Sequence, residues 1–341
     1  MSRRMSKIVV VGGGVIGCAI AERLARDRHQ VVVLERERIA SQASGAAAGL
    51  LAPEDIGDGP AAEEGRRSLA LFGELVPRIE RSGVAVEFRR GETIRPALSA
   101  SEQRRLEQSG GQWVDGPEAR RLEPALQAHV RGATIVEEAQ VTPPRFVEAL
   151  ARTAVAAGAE VREGTPVGQI VTRGGRVRGV ATADGAVEAD WVVLAAGPWS
   201  PMLASPLDIA LDIRPSRGQL VTLRPRAPSL RRMLSWQGSY LVPKPDGTIV
   251  AGSTEEEAGF DARPTAQGIA QLLTFAQTAV PDLGASVVER VWAALRPRTS
   301  DERAIVGAIA EVPGLVVAAG HNRNGILLAP LTAVQVAGLV G

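Results

Sequence analysis

The chain has 341 residues, enough for two domains or one large one, and 45% of them are apolar, so it can build a core and is not a disordered polypeptide. A formal net charge of +1 leaves no surplus of cations to neutralise phosphates, which argues against a dedicated nucleic-acid binder. Cys18 is the sole cysteine, His29, His129 and His321 are the only histidines, and Lys7 and Lys244 are the only lysines among 39 cationic residues; an internal disulfide is excluded, no metal cluster is suggested, and lysine chemistry has two places to live.

The chain opens MSRRMSKIVVVGGG. Basic residues before an apolar run faintly resemble a signal peptide, but the run is short, lacks a small-residue cleavage pattern and enters glycines, so residues 7–11 read as a strand. Helical apolar spacing follows at 15–28, then a second strand at 31–34 ending at Glu35, which makes a βαβ start. Gly12, Gly14 and Gly17 stand in GxGxxG spacing at the strand-to-helix turn, with Val15 and Ile16 between them. Glycine permits the tight turn and lets amides approach a pyrophosphate, and the helix N-terminus adds about half a positive charge. Glu35 stands where a carboxylate can hydrogen-bond a ribose hydroxyl. Together these features point to a dinucleotide; Cys18, on the helix, reads as a packing residue.

After Glu35 and Arg36, the stretch ASQASGAAAGLLAP supplies hydroxyls at Ser41 and Ser44. Its small residues from Gly45 and Ala46 to Gly49, ahead of Leu50, let backbone approach a flat, bulky ligand. Residues 84–139 are more polar, with a charged helix near 101–108. Residues 144–158 read as a helix, 160–163 and 168–171 as strands, Gly174-Gly175 as a hairpin turn with its return strand at 176–182, and 191–195 as an apolar strand buried on both faces. That strand runs into LAAGPWS, where Ala196, Gly197 and Trp199 mark a second strand end able to meet the same ligand. Contributions from residues 12, 45, 197 and 325 to one site suit FAD better than NAD. Residues 213–298 hold the strand-like runs QLVTL, SYLVP and TIVAG and a helix at 266–279; a buried strand at 315–319 brings back the first layer. The apolar run from residue 325 falls short of the roughly 20 residues that span a bilayer and reads as a buried helix. The expected organisation is an α/β nucleotide-binding domain in three segments, 1–83, 140–212 and 299–341, with a second domain inserted as 84–139 and 213–298; the expected location is the cytoplasm.

The segments VVVGGGVIG, ASGAAAGLL, QVTPPRFVEAL, LAAGPWS, SYLVPK, GSTEEEAGF, WAALRPRT and GHNRNGILLAP follow one another over nearly the whole chain. In them the sequence resembles the glycine oxidase branch of the D-amino acid oxidase family, flavoenzymes linked to thiamine biosynthesis. The resemblance implies an α/β fold, α+β overall, in which a Rossmann-like FAD-binding domain carries an inserted antiparallel-sheet substrate-binding domain. It implies non-covalent FAD, because no Cys or His stands at a flavin-attachment position known in related sarcosine oxidases. Arg296 is then the residue that grips the substrate carboxylate, Tyr240 orients it, Arg323 stands at the pocket, Asn324 serves the loop, Gly325 and Ile326 lie against the flavin, and Val141 offers its backbone to the adenine. A guanidinium fork holds a carboxylate bidentately, as lysine cannot.

The implied reaction is oxidative deamination of glycine, sarcosine or a small D-amino acid. Hydride passes from the α-carbon to flavin N5, the imine gives oxo acid and ammonia or feeds a thiazole synthase, and oxygen reoxidises the flavin to yield hydrogen peroxide. A homo-oligomer, a tetramer, is implied as well. Two positions depart from relatives: Gly238, where some have histidine, and Glu255, where some have an apolar residue. Glu255 either faces the pocket and selects for the amine or is one of a solvent-facing acidic trio; His321 either lies near the flavin ring or caps the loop. Arg214, Arg217 and Arg298 read as solvated or structural. Competing readings are a quinone-dependent flavin dehydrogenase, a non-catalytic flavin-binding relative and a nicotinamide dehydrogenase.

Overall fold

A computed structural model describes residues 5–55, 59–227 and 230–340. The β-branched run KIVVV forms the strand Lys7–Val11, the helix Val15–Arg26 follows the glycine turn, and Gln30–Leu34 returns in parallel, with Ile8 opposite Val31. These strands lie inside a six-stranded sheet ordered Ile305–Ala308, Leu315–Ala319, Trp191–Leu194, Lys7–Val11, Gln30–Leu34, Glu160–Arg162; only Ile305–Ala308 runs antiparallel to its neighbour. The inner strands are continuously apolar because both faces are covered. The helices Val15–Arg26, Pro60–Glu80, Pro143–Ala156 and Gly325–Leu339 bury Val10, Val33 and Val193 on one side. On the other, a three-stranded antiparallel sheet from Val167–Arg173, Arg176–Thr182 and Gly185–Glu188 covers Val9, Val192 and Val317.

The second layer is a nine-stranded sheet. Its path runs Val287–Arg298, Arg214–Arg224, Ile249–Gly252, Ser239–Pro243, Met233–Trp236, Arg89–Ala97, Gly132–Gln140, Leu50–Leu51, with Gln112–Asp115 paired beside Gly132–Gln140. Pairing is antiparallel except between Met233–Trp236 and Arg89–Ala97. Alternation along Arg214–Arg224 divides its side chains: Val221 and Leu223 pack with Leu272 and Ala276 of the helix Ala266–Ala279, while Gly218 and Leu220 face the opposite way. That opposite face looks toward the C-terminal ends of the parallel strands, the edge at which open α/β sheets place their ligands.

The helix Gly325–Leu339 carries Pro330, which has no N–H to donate. Ser68 of the helix Pro60–Glu80 inserts beside it: its hydroxyl donates to the Leu327 carbonyl at 2.6 Å and accepts from the Leu331 amide at 3.3 Å. The fully buried serine thus ties the two helices together next to Pro330, which leaves the Ile326 carbonyl without its usual helical donor. Among the described residues no helix is long and apolar enough to cross a membrane.

Candidate active site between the two sheets

Gly12 sits at φ 112°, and a Cβ there would run into the Ala195 carbonyl, so the phosphate loop lies directly against the end of the neighbouring strand. The helix Val15–Arg26 begins without a side-chain cap from its N-cap residue, Gly14. Ser44 approaches instead, its hydroxyl accepting from the Val15 amide at 2.9 Å. Glu35 is buried and held by two amides, Gly13 at 2.6 Å and Glu37 at 2.9 Å, which fixes its carboxylate at the end of the second strand. The Arg36 guanidinium lies 3.7 Å from the Trp199 ring centroid, and Trp199 in turn contacts Phe260. Cys18 lies beneath this loop with its thiol pushed up by burial, so it is an inert packing group.

The floor opposite is the nine-stranded sheet. Arg296, Gly218, Gly252, Tyr240 and Ser235 lie on one face of five neighbouring strands, Gly252, Tyr240 and Ser235 directly opposite one another and Gly218 two residues along from the partners of Gly252 and Arg296. A Cβ at Gly218 would overlap the Arg296 guanidinium, and one at Gly252 would meet the Tyr240 ring. The two glycines clear the space in which these side chains lie flat, a common reason for glycine inside a strand. Arg296 Nη1 donates to the Thr254 carbonyl at 3.1 Å, and among the described residues no carboxylate pairs with it. Burial lowers its pKa, a shift partly offset by Tyr240 and Glu255 and reinforced by Arg323. Arg323 reaches across from the loop before Gly325–Leu339 and donates to the Gly238 carbonyl at 2.9 Å.

The cavity between these walls encloses about 740 Å3 and is continuous from Glu35 to Arg296. In its wall His321 is buried; Nε2 lies 2.9 Å from the Thr332 hydroxyl, and burial drops the imidazole to about 4, so it is neutral at physiological pH. Among the described residues its Nδ1 and the Asn322 Oδ1 are buried without a partner, and both residues line the cavity. The helix Gly325–Leu339 starts here, again with no side-chain cap. Two helix N-termini that receive no cap from their own N-cap residues, a glycine cradle and orphaned polar atoms along one elongated space fit a flavin dinucleotide.

All three residues expected at the substrate end, Arg296, Tyr240 and Arg323, line this cavity. At the nucleotide end so do Gly12, Gly14, Val15, Ile16, Glu35, Arg36 and Ser44. Ala46, Gly49, Leu50, Ala196, Gly197, Trp199, Asn324, Gly325 and Ile326 complete the set that reaches it. Three expected contacts do not. A Cβ on Gly17 would meet the Gly12 carbonyl and one on Gly45 the Ala40 carbonyl, so these glycines serve close packing behind the wall. Val141 is buried outside the wall, its amide donating to Gly49 at 3.0 Å and its carbonyl accepting from Lys244 at 3.2 Å. Pro166, Val167 and Gly168 stand instead beside Glu35, whose carbonyl accepts from Thr165 at 2.8 Å.

Glu255 lines the cavity and pairs with Arg298 at 2.9 Å, so the solvent-facing trio is divided. Glu256 turns away and pairs with Arg217 at 2.6 Å, while Gln219 donates to it at 2.7 Å. Arg214 donates to Ser300 at 2.6 Å. Among the described residues no group of three or more His, Cys, Asp or Glu could hold a metal ion.

The family model for FAD dependent oxidoreductases (DAO) matches residues 7–339. A glycine oxidase of Bacillus licheniformis is 32% identical over 99% of this chain and 94% of its own. The bifunctional protein ThiO/ThiG of Synechocystis is 36% identical over 98% of this chain, which spans 51% of that longer protein. The crystal structure of glycine oxidase from Geobacillus kaustophilus superposes with a TM-score of 0.94 at 33% identity, covering 98% of this chain and 94% of that one.

Proposed function

Since the chain belongs to the FAD dependent oxidoreductase family, we propose that this FAD enzyme oxidises glycine or another small amino acid, giving the imine and then oxo acid and ammonia, with oxygen as terminal acceptor and hydrogen peroxide as product. The observation that carries the proposal is Arg296. A desolvated guanidinium in the cavity wall, bonded to one backbone carbonyl and to no carboxylate among the described residues, lacks the counter-charge that burial demands. A substrate carboxylate supplies it in bidentate form, with Tyr240 beside it and Arg323 closing from the opposite wall.

Bound FAD supplies the two-electron acceptor. The side chains supply position: the Arg296 fork fixes the carboxylate and thereby the α-carbon, which is most of what such a transfer asks of a protein. Ser44 and the first turn of Val15–Arg26 would hold the pyrophosphate, Glu35 a ribose, and the start of Gly325–Leu339 the isoalloxazine. The cofactor is held without a covalent bond, for Cys18 is sealed under the loop.

On this proposal residues 1–83, 140–212 and 299–341 bind FAD and residues 84–139 and 213–298 bind substrate. The support is that the six-stranded sheet falls in the first set and the strands bearing Arg296 and Tyr240 in the second. Delivery of the imine to a thiazole synthase is supported by the ThiO/ThiG relatives, which continue beyond the span matched here.

The test is spectroscopic. Anaerobic glycine should bleach the flavin absorbance of the purified holoenzyme, and air should restore it with release of peroxide. No bleaching by glycine, sarcosine or D-alanine would overturn the proposal. Arg296→Ala should raise KM by the worth of a charged hydrogen bond, roughly 1.5–3 kcal/mol; an unchanged KM would remove Arg296 from the role.

A further inference from the structure

The substrate end of the cavity is ringed by charges that do not cancel. Arg296 and Arg323 project into it as cations. Glu255 and Glu302 line the wall beside Arg296 as anions, joined by one shared cation: Arg298 reaches Glu255 at 2.9 Å and Glu302 at 3.3 Å. Three guanidiniums against two carboxylates leave one net positive charge, which a single substrate carboxylate neutralises. Glu255 cannot readily withdraw. The residue before it gives its carbonyl to Arg296, and the residue after it is pinned by Arg217, Gln219 and the Thr254 hydroxyl. Asp55 also lines the cavity, and its partner Arg95 is shared with Glu138, each at 2.8 Å. A second carboxylate on the substrate therefore meets Glu255 beside the anchor, and the other guanidinium at this end without a carboxylate partner among the described residues, Arg323, is the one that closes on the first carboxylate.

We propose that Glu255 is a specificity-determining residue that restricts the site to amino acids with one carboxylate and rejects dicarboxylic ones. The inference rests on Arg296 being the carboxylate anchor. It predicts exclusion of aspartate, glutamate and N-carboxymethyl amino acids and acceptance of neutral or basic ones of suitable size.

Acetate and malonate test it as probes of one and two carboxylates, read by perturbation of the flavin absorbance of the holoenzyme at neutral pH. Acetate should bind the wild type, and malonate should bind at least roughly tenfold more weakly, as expected for an unpaired like charge in a partly shielded site. Glu255→Gln keeps the size and the hydrogen bond to Arg298 while removing the charge. It should tighten malonate roughly tenfold and acetate much less. Malonate binding the wild type as well as acetate does, or a malonate-to-acetate ratio unmoved by Glu255→Gln, overturns the proposal while leaving the anchor intact. Failure of acetate to bind the wild type defeats the anchor itself, and with it this inference.

Discussion

At the scale of single residues, the substrate floor is decided by what two positions lack. Gly218 and Gly252 sit on the strands between Arg296 and Tyr240, and each gives up a side chain so that a neighbour can lie over it. This makes Gly218 a positioning residue for the anchor. Gly218→Ala would place a methyl group where the guanidinium lies, and the fork would have to lift from the sheet. Because alanine suits strand backbone better than glycine, by roughly 0.5–1 kcal/mol, fold stability should hold or rise. KM for the amino acid should nonetheless climb about tenfold or more, the loss expected when an oriented charged hydrogen bond is misplaced. Thermal melts and steady-state kinetics on the same preparation separate the two effects; a lower melting point with unchanged KM would show that Gly218 serves the fold alone.

At the scale of elements, the helix Gly325–Leu339 must deliver its first turn to the cavity although proline interrupts it one turn later. Ser68 braces that stretch from another helix, and the His321–Thr332 contact ties the helix back to its own leading loop. Ser68→Ala removes both buried hydrogen bonds between the helices and should cost about 1–3 kcal/mol. The denaturation midpoint should fall at unchanged m-value, and an unaltered midpoint would mean that the helix satisfies the Leu327 carbonyl and Leu331 amide by itself. Pattern alone found much of this architecture. The runs at 7–11, 266–279 and 315–319 are the observed strands and helix to the residue, because continuous β-branched runs and an uninterrupted helical face leave little choice. Other elements were not legible. Pro60–Glu80 buries Ala62, Leu69, Phe72, Val76 and Ile79 at helical spacing, a period present in the sequence but masked by Pro77 and two glycines, whereas Val287–Arg298 begins with an exposed VVERV that shows no strand alternation. Val141 shows a further limit: a backbone contact leaves no mark on side-chain identity, whereas the real wall beside Glu35 is Pro166 to Gly168. Glycines inside strands were the available signal for the substrate floor, and only the neighbours across the sheet reveal what lies over them.

At the scale of the whole molecule, the cavity exists because two sheets are held apart at a fixed spacing, and few polar ties cross between them. Lys244 extends from the substrate sheet to the carbonyls of Ala48, at 2.5 Å, and Val141. Trp292 donates its indole N–H to the Ala46 carbonyl at 2.9 Å. Both ties end near or on the small-residue loop lining the cavity, so the substrate sheet sets where that loop meets the cofactor. If this coupling is real, breaking a tie should weaken FAD binding although neither side chain lines the cavity. Trp292→Phe keeps an aromatic ring in the packing, though a smaller one, and removes the donor. One lost hydrogen bond of about 0.5–1.5 kcal/mol should raise the dissociation constant for FAD roughly 2- to 13-fold. Ligand linkage gives the readout: FAD at 100 times its dissociation constant stabilises the apoprotein by about 2.7 kcal/mol, so the melting temperature climbs with added FAD. For Trp292→Phe that climb should be displaced to higher FAD concentration. A coincident curve would place the control of the loop in Lys244 or in the strand Leu50–Leu51, which joins the same loop to Gly132–Gln140.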